Sequence, residues 1–235
     1  MTKIYQIVMF VDRSAYLTFD VCSWRCIYCV RNVSRWCSSL KEDQQNKLKN
    51  INPEYLTVEK AVSILKENGV HTAYLGGGEP TEDDEIKTLM KELKYNGINS
   101  WLITNGEMLD DELFELSYGI TFSIKAIDEK LHIRLTGRQN KKVLENFLRY
   151  GKDLKVVAET VLYPHLIECD EIKKIAEFID SVNRLTKLRI DLAIQSKDYK
   201  ILESCVEEVK KLHQNTYYIK ADKAYSTPEL LYPII

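Results

Sequence analysis

Residues 57–80 read TVEKAVSILKENGVHTAYLGGGEP. In the first half, Val58, Ala61, Val62 and Leu65 recur at spacings of three and four, which predicts a helix over 57–68 with one apolar face. Thr57 stands where an N-cap is wanted, while Lys60 occupies the position a capping box gives to Glu. The second half predicts a strand over 71–75. That strand runs straight into Gly76-Gly77-Gly78-Glu79-Pro80. A helix feeding a strand that ends in a glycine loop is one unit of an α/β fold.

The unit repeats along the chain. Strands are expected at 16–21, 71–75, 100–103, 120–125, 154–163 and 187–194. Helices are expected at 57–68, 83–95, 110–117, 141–150, 169–182 and 199–213. About six strand-then-helix units imply a parallel sheet with helices outside it. Two closures compete, an open doubly wound sheet and a TIM-type barrel; six units fall short of eight, so the barrel would be partial. In both, the site lies beyond the C-terminal ends of the strands. Cys22, Gly76, Thr104 and Lys125 all fall there. Residues 30–56 lack clear periodicity and read as a partly helical surface excursion. We expect a single domain over 1–220 and an irregular tail over 221–235, which contains Pro228 and Pro233.

Composition narrows the class. The chain has 235 residues, 45% hydrophobic and 29% charged, with 33 Lys and Arg against 35 Asp and Glu. A net charge of -2 gives no global attraction to nucleic acid or to an anionic membrane. No apolar run is long enough to span a bilayer and no signal-peptide pattern is visible, so a cytoplasmic protein is expected. Three of the six cysteines fall within eight residues, which points to a metal centre rather than a disulfide framework.

That cluster is Cys22-Ser-Trp-Arg-Cys26-Ile-Tyr-Cys29. Three thiolates on one short loop can ligate three irons of a cubane and leave the fourth iron open. No fourth cysteine follows at ferredoxin spacing; Cys37 lies eight residues beyond Cys29. One alternative is a structural zinc site, which would need a fourth ligand, and no histidine is near in sequence. Another is a pure electron-transfer module, which would need four cysteines to close the cluster.

The cysteine spacing after a strand, together with Gly76–Pro80 after the next one, resembles the radical S-adenosylmethionine (SAM) superfamily. The resemblance implies a partial (β/α)6 TIM-type barrel and one 4Fe–4S cluster on Cys22, Cys26 and Cys29. It also implies that SAM chelates the open iron and is cleaved by one electron to methionine and a 5′-deoxyadenosyl radical, which removes a hydrogen atom from the substrate. Gly76, Gly77, Gly78 and Glu79 would form the loop that binds the SAM amino group, and Tyr28 would neighbour the adenine. The electron would come from a flavodoxin or ferredoxin.

Beyond these motifs the chain is similar to the pyruvate formate-lyase activating enzymes, which install a glycyl radical on a partner enzyme. The likeness rests on Leu102-Ile-Thr104-Asn105-Gly106, on Ser123-Ile-Lys125 followed by His132 and Leu135-Thr136-Gly137, and on Thr160-Val-Leu-Tyr-Pro164. Ile103, Ser123 and Glu159 stand where that group has Asp, Asp and Arg, and Leu192-Ala-Ile-Gln195 replaces its LLPYH. These departures keep a second substrate class open: a small molecule, peptide or nucleotide. Activating enzymes with a ferredoxin-like insert carry further cysteines, but 30–75 holds only Cys37, so a single cluster is expected.

Lys125 is expected to pair with the SAM carboxylate. Thr104 and Asn105 either bond SAM or simply make the turn that Asn-Gly signals, and Ser123 either contacts SAM or is a small barrel residue. Cys169 and Cys205 read as buried apolar groups. Arg25, Arg31 and Arg35 surround the cysteine loop, either solvated or attracting an anionic partner. Replacing Cys22, Cys26 or Cys29 by Ala is expected to abolish SAM cleavage in reconstituted protein, and Cys37→Ala to spare it. Loss of the cluster in Cys37→Ala would show the ligand set to be wrong.

Overall fold

The computed structural model describes residues 1–52, 54–220 and 227–235. The chain opens with an antiparallel hairpin, β1 (Ile4–Met9) and β2 (Ser14–Phe19). An excursion follows, with a short 3-10 turn at Val30–Asn32 and α1 (Glu42–Leu48). The repeating part then runs α2 (Val58–Glu67), β3 (Thr72–Gly76), α3 (Ile86–Tyr95), β4 (Asn99–Thr104), α4 (Asp111–Leu116) and β5 (Gly119–Ser123). It continues with α5 (Glu129–Thr136), α6 (Lys141–Tyr150), β6 (Val156–Leu162), α7 (Cys169–Val182), β7 (Lys187–Leu192), α8 (Tyr199–Lys210), β8 (Thr216–Tyr217) and β9 (Glu229–Tyr232).

The nine strands form one sheet in the order β8-β7-β6-β5-β4-β3-β2-β1-β9. From β2 to β8 every pairing is parallel, while β1 and β9 run antiparallel at one edge. The parallel strands follow chain order with no reversal, unlike a doubly wound sheet, and the sheet has two free ends, so of the two expected closures the structure has the partial barrel. The strand β1 was not anticipated. Neither was β9: the tail expected to be irregular supplies a strand that pairs with β1, Val8 facing Leu230. Residues 221–226 of that tail lie outside the described residues.

Strand register sorts the side chains onto two faces. Leu17, Leu75, Leu102 and Ile120 lie in register, fully buried, and face the helices. Each such side chain contributes on the order of 2 kcal/mol by leaving water. The alternate positions, Tyr16, Tyr74, Trp101 and Gly119, face the inside of the barrel. Trp101 lies over Gly119, where a Cβ would come within 2.4 Å of its ring, and its indole nitrogen donates to Thr121 Oγ1 at 2.9 Å. The far end of the barrel is thereby plugged, and the open end is left to the βα loops.

Local signals explain most boundaries. Thr57 Oγ1 accepts from the Lys60 amide at 3.2 Å, and Asp110 and Asp128 cap α4 and α5 in the same way. The helix expected over 83–95 starts later, at Ile86, because Pro80–Glu82 forms a 3-10 turn first. The helix α5 was missed: it is short and carries His132 fully buried. Cys169 and Cys205, expected as separate apolar groups, are joined in a disulfide that links α7 to α8. Their separation of 36 residues in sequence concealed that two neighbouring helices, which run parallel outside the sheet, bring them together. Among the described residues no helix is long and apolar enough to cross a membrane.

His132 gives a stability prediction. Its Nδ1 faces the Arg138 carbonyl at 2.8 Å, the edge of Trp24 packs on its ring at 5.1 Å, and Nε2 has no partner. Burial holds its pKa below the ordinary 6.5, and the Lys125 charge adds to that. Below about pH 6.5 the unfolded chain therefore takes up a proton that the folded chain resists, and stability falls as pH falls through that window. His132→Gln, which keeps a donor for the Arg138 carbonyl, is expected to flatten the dependence of Tm on pH below about 6.5. An unchanged slope would show that other groups set it.

Candidate active site

The cysteine loop leaves β2 at the open end of the barrel and is tied to the next three βα loops. Ser23 donates from its amide and hydroxyl to the Glu82 carboxylate at 2.7 and 2.8 Å. Trp24 Nε1 donates to Glu107 at 2.7 Å. The Arg25 and Ile27 amides donate at 3.0 Å to the carbonyls of Thr136 and Leu135, in the last turn of α5. Behind the loop, Asp20 accepts from Arg31, Arg35 and Tyr55, which fastens the excursion to the end of β2. Two of the three arginines read as possible anion-attracting groups are thus engaged by one carboxylate.

Cys22, Cys26 and Cys29 are free thiols on one wall of a cavity of about 600 Å³. Burial pushes the Cys22 thiol up to about 12 and raises Cys26 as well, so a metal binding here displaces protons. Cys37 lies elsewhere, packed with Val8, Leu40 and Leu48. Among the described residues, no three His, Cys, Asp or Glu side chains converge as ligands of a single metal ion. A cubane takes each thiolate on a different iron, so this donor set suits a three-cysteine cluster better than zinc. Tyr28, between two of the cysteines, lines the same cavity with its hydroxyl buried and unpartnered.

The loop after β3 forms the adjoining wall. Gly77 has φ 91, a left-handed conformation, and a Cβ there would meet Thr18 Cγ2 at 2.4 Å. A Cβ at Gly78 would come within 2.1 Å of the Val21 carbonyl oxygen. These glycines let the loop press against the segment that leads into Cys22; Gly76 is the last residue of β3.

Glu79 is 2% exposed. Its Oε1 accepts from Thr81 Oγ1 at 2.7 Å and Thr104 Oγ1 at 2.6 Å, and its Oε2 from the Asn105 amide at 2.6 Å. Burial pushes this carboxyl up, and the donors oppose that push. Thr104 also accepts from the Gly106 amide at 2.9 Å, so its hydroxyl is engaged on both sides. Asn105 Oδ1 accepts from the Glu107 amide at 2.9 Å, and Asn105 lines the cavity.

The third wall is charged. Ser123, at the end of β5, donates to Glu159, its register partner on β6. Lys125, two residues past β5, lies 3.3 Å from the same Glu159 oxygen, with its ammonium 5.9 Å from the Tyr28 ring centre. Burial opposes the Lys125 charge, but Glu159 outweighs it and the pKa is raised. Arg189, opposite Glu159 on β7, holds Asp191 at 3.0 Å. Burial, with Glu159 beside it, pushes Asp191 up to about 6. Sequence reasoning noted Glu159 only as a departure and missed Arg189 and Asp191. The signal was in Lys187-Leu-Arg-Ile-Asp-Leu192: Leu188 and Ile190 face the helices, so the alternate charged residues face the barrel.

Comparison with known proteins agrees with this arrangement. The radical SAM superfamily model matches residues 16–179, and the chain belongs to that superfamily. A putative glycyl-radical enzyme activating enzyme of Methanocaldococcus jannaschii is 36% identical over 177 residues, covering 72% of this chain and 64% of that protein, just under two thirds of its length. The pyruvate formate-lyase-activating enzyme of Staphylococcus aureus is 32% identical over 188 residues, covering 72% of this chain and 70% of that protein. Among solved structures, Streptococcus suis SuiB bound to its precursor peptide SuiA superposes with a TM-score of 0.64 at 17% identity, over 86% of this chain and 47% of SuiB, a likeness of fold.

Glu79→Gln replaces an acceptor with a donor where hydroxyl and amide donors already converge. It is expected to cost about 1–3 kcal/mol, read as a lower midpoint in urea, and to weaken SAM binding measured by calorimetry. Unchanged stability would show that the carboxylate does not brace the loops.

Proposed function

We propose that this protein holds one 4Fe–4S cluster on Cys22, Cys26 and Cys29 and uses it to cleave SAM. We further propose that the resulting radical activates a glycyl radical enzyme, as the names of its relatives suggest. The observation that carries this reading is the convergence of the three free thiols and the Gly77–Gly78–Glu79 loop on one cavity. With cluster and SAM bound, the group supplies one electron and yields methionine and a 5′-deoxyadenosyl radical.

The chain's own residues do the positioning. The loop 76–79 offers backbone groups to the SAM amino group, with Glu79 bracing it against Thr104 and Asn105. Lys125 makes one hydrogen bond, to Glu159, and has donors left for the SAM carboxylate. The Asn105 amide and Ser123 stand nearby on the rim. Tyr28 presents its ring beside the adenine position. Trp24, held by Glu107, helps to keep water from the reacting atoms. We read 1–220 as the catalytic domain: among the described residues, every side chain lining the cavity comes from it.

A second reading is favoured by the wall of Glu159, Arg189 and Asp191. Convergent charged groups in a concave site suit a small polar substrate, and the activating enzymes carry a different set at two equivalent positions, Ser123 and Glu159. Anaerobic reconstitution with iron and sulfide, reduction with dithionite and addition of SAM are expected to give 5′-deoxyadenosine. A glycyl radical signal in electron paramagnetic resonance on an added glycyl radical enzyme would support the first reading. Deoxyadenosine that rises only with a small polar compound would support the second. Zinc uptake with no cluster would overturn both.

A further inference from the structure

We propose that the outer face of the cysteine loop, together with the last turn of α5, is the docking surface for an acidic one-electron carrier protein. This rests on the cluster assignment above and goes beyond it by naming the surface and the charge of its partner. Along the loop, Trp24, Cys26 and Tyr28 line the cavity, while Arg25 and Ile27 do not. The Arg25 and Ile27 amides are bonded to the carbonyls of Thr136 and Leu135, so the loop and the end of α5 form one continuous face.

That face is basic although the chain as a whole carries a net charge of -2. Arg25, Arg134 and Arg138 are exposed, and among the described residues none of the three pairs with a carboxylate. Of the neighbouring acids, Asp20 is paired with Arg31 and Arg35, while Glu82 and Glu107, in the loops after β3 and β4, bond the neutral donors Ser23 and Trp24 and keep their charge. Arg134 also borders a shallow groove that holds Asp128 and Glu168, so the positive field is strongest toward Arg25 and Arg138. Apolar side chains lie beside these charges: Ile27, Val33 and Ile133 are between 42% and 58% exposed. A small apolar centre with a charged rim is the anatomy of a weak, transient complex. Electron transfer decays steeply with distance, and Arg25 and Ile27 lie on the same loop as the three thiols. A donor docked here leaves the mouth of the cavity free for the substrate.

The test is titration of oxidised flavodoxin with cluster-reconstituted protein by calorimetry, without SAM, so that the result does not depend on SAM cleavage. Wild-type protein is expected to bind at low ionic strength and to weaken as salt rises. The double variant Arg134→Glu, Arg138→Glu is expected to raise Kd about tenfold or more and to lose most of the salt dependence. Arg25→Gln is expected to raise Kd by itself, which covers the case in which the double variant fails to fold. Lys66→Glu with Lys94→Glu, in the last turns of α2 and α3 at the other end of the barrel, is expected to leave Kd unchanged. The proposal falls if wild-type protein does not bind, if the arginine variants bind as tightly as wild type, or if the distant lysine pair weakens binding equally.

Discussion

The carboxylate of Glu79 sits where three βα loops meet. Buried almost completely, it takes hydrogen bonds from its own loop through Thr81 and from the end of β4 through Thr104 and the Asn105 backbone. A buried carboxylate is costly unless its lone pairs are filled, and here donors reach both oxygens. The geometry of the open end follows from it. The loop after β3 is fixed against β4, so Gly78 is fixed against Val21, and the stem of the cysteine loop has one path to follow. Glu82 and Glu107, each a few residues past an anchored point, then hold Ser23 and Trp24. Three thiols that belong to a flexible-looking stretch of sequence are thereby delivered to one wall.

The opposite wall follows a different rule. Lys125, Glu159, Arg189 and Asp191 are drawn from three adjacent strands, and their charges sum to zero. Each member is tolerated in a low-dielectric setting because the next one compensates it. The pKa of Asp191 rises because it is buried and because Glu159 is close, and Arg189 does not offset the two. Such a row is poorly suited to greasy ligands and well suited to a molecule that can enter the pairing. Two of the positions read in the sequence as departures from the activating enzymes, Ser123 and Glu159, are register partners and sit side by side here.

Much of this was readable before any coordinates. The apolar period of 57–68 and the strand running into Gly76 gave the repeating unit; the unit count limited any barrel to a partial one, and the family resemblance chose the barrel over a doubly wound sheet. The cysteine and glycine motifs marked the site because their residue types have few other uses at that spacing. Other features stayed hidden because they are not local. Whether Thr104 faces a ligand or a neighbouring loop depends on where Glu79 points. The pairing of Cys169 with Cys205 depends on two helices from successive units lying side by side. The strand β1 is buried along its whole length and so lacks the alternation of a half-exposed strand, while β9 was obscured by the prolines around it and by having only four residues.

The pairing of β9 with β1 sets an order of events. Ile7 faces Tyr232, so one border of the sheet is finished by residues from the opposite end of the chain. A polypeptide emerging from the ribosome presents β1 with one unpaired edge during the whole time that the repeating units are being made. Its outer row of amides and carbonyls is a template for another strand until β9 arrives. The contact that closes the border has the longest loop to search and is among the slowest to form. A chain stalled before β9 would thus expose an unpaired edge beside an otherwise assembled barrel, which makes β9 a guard against aggregation as much as a part of the fold.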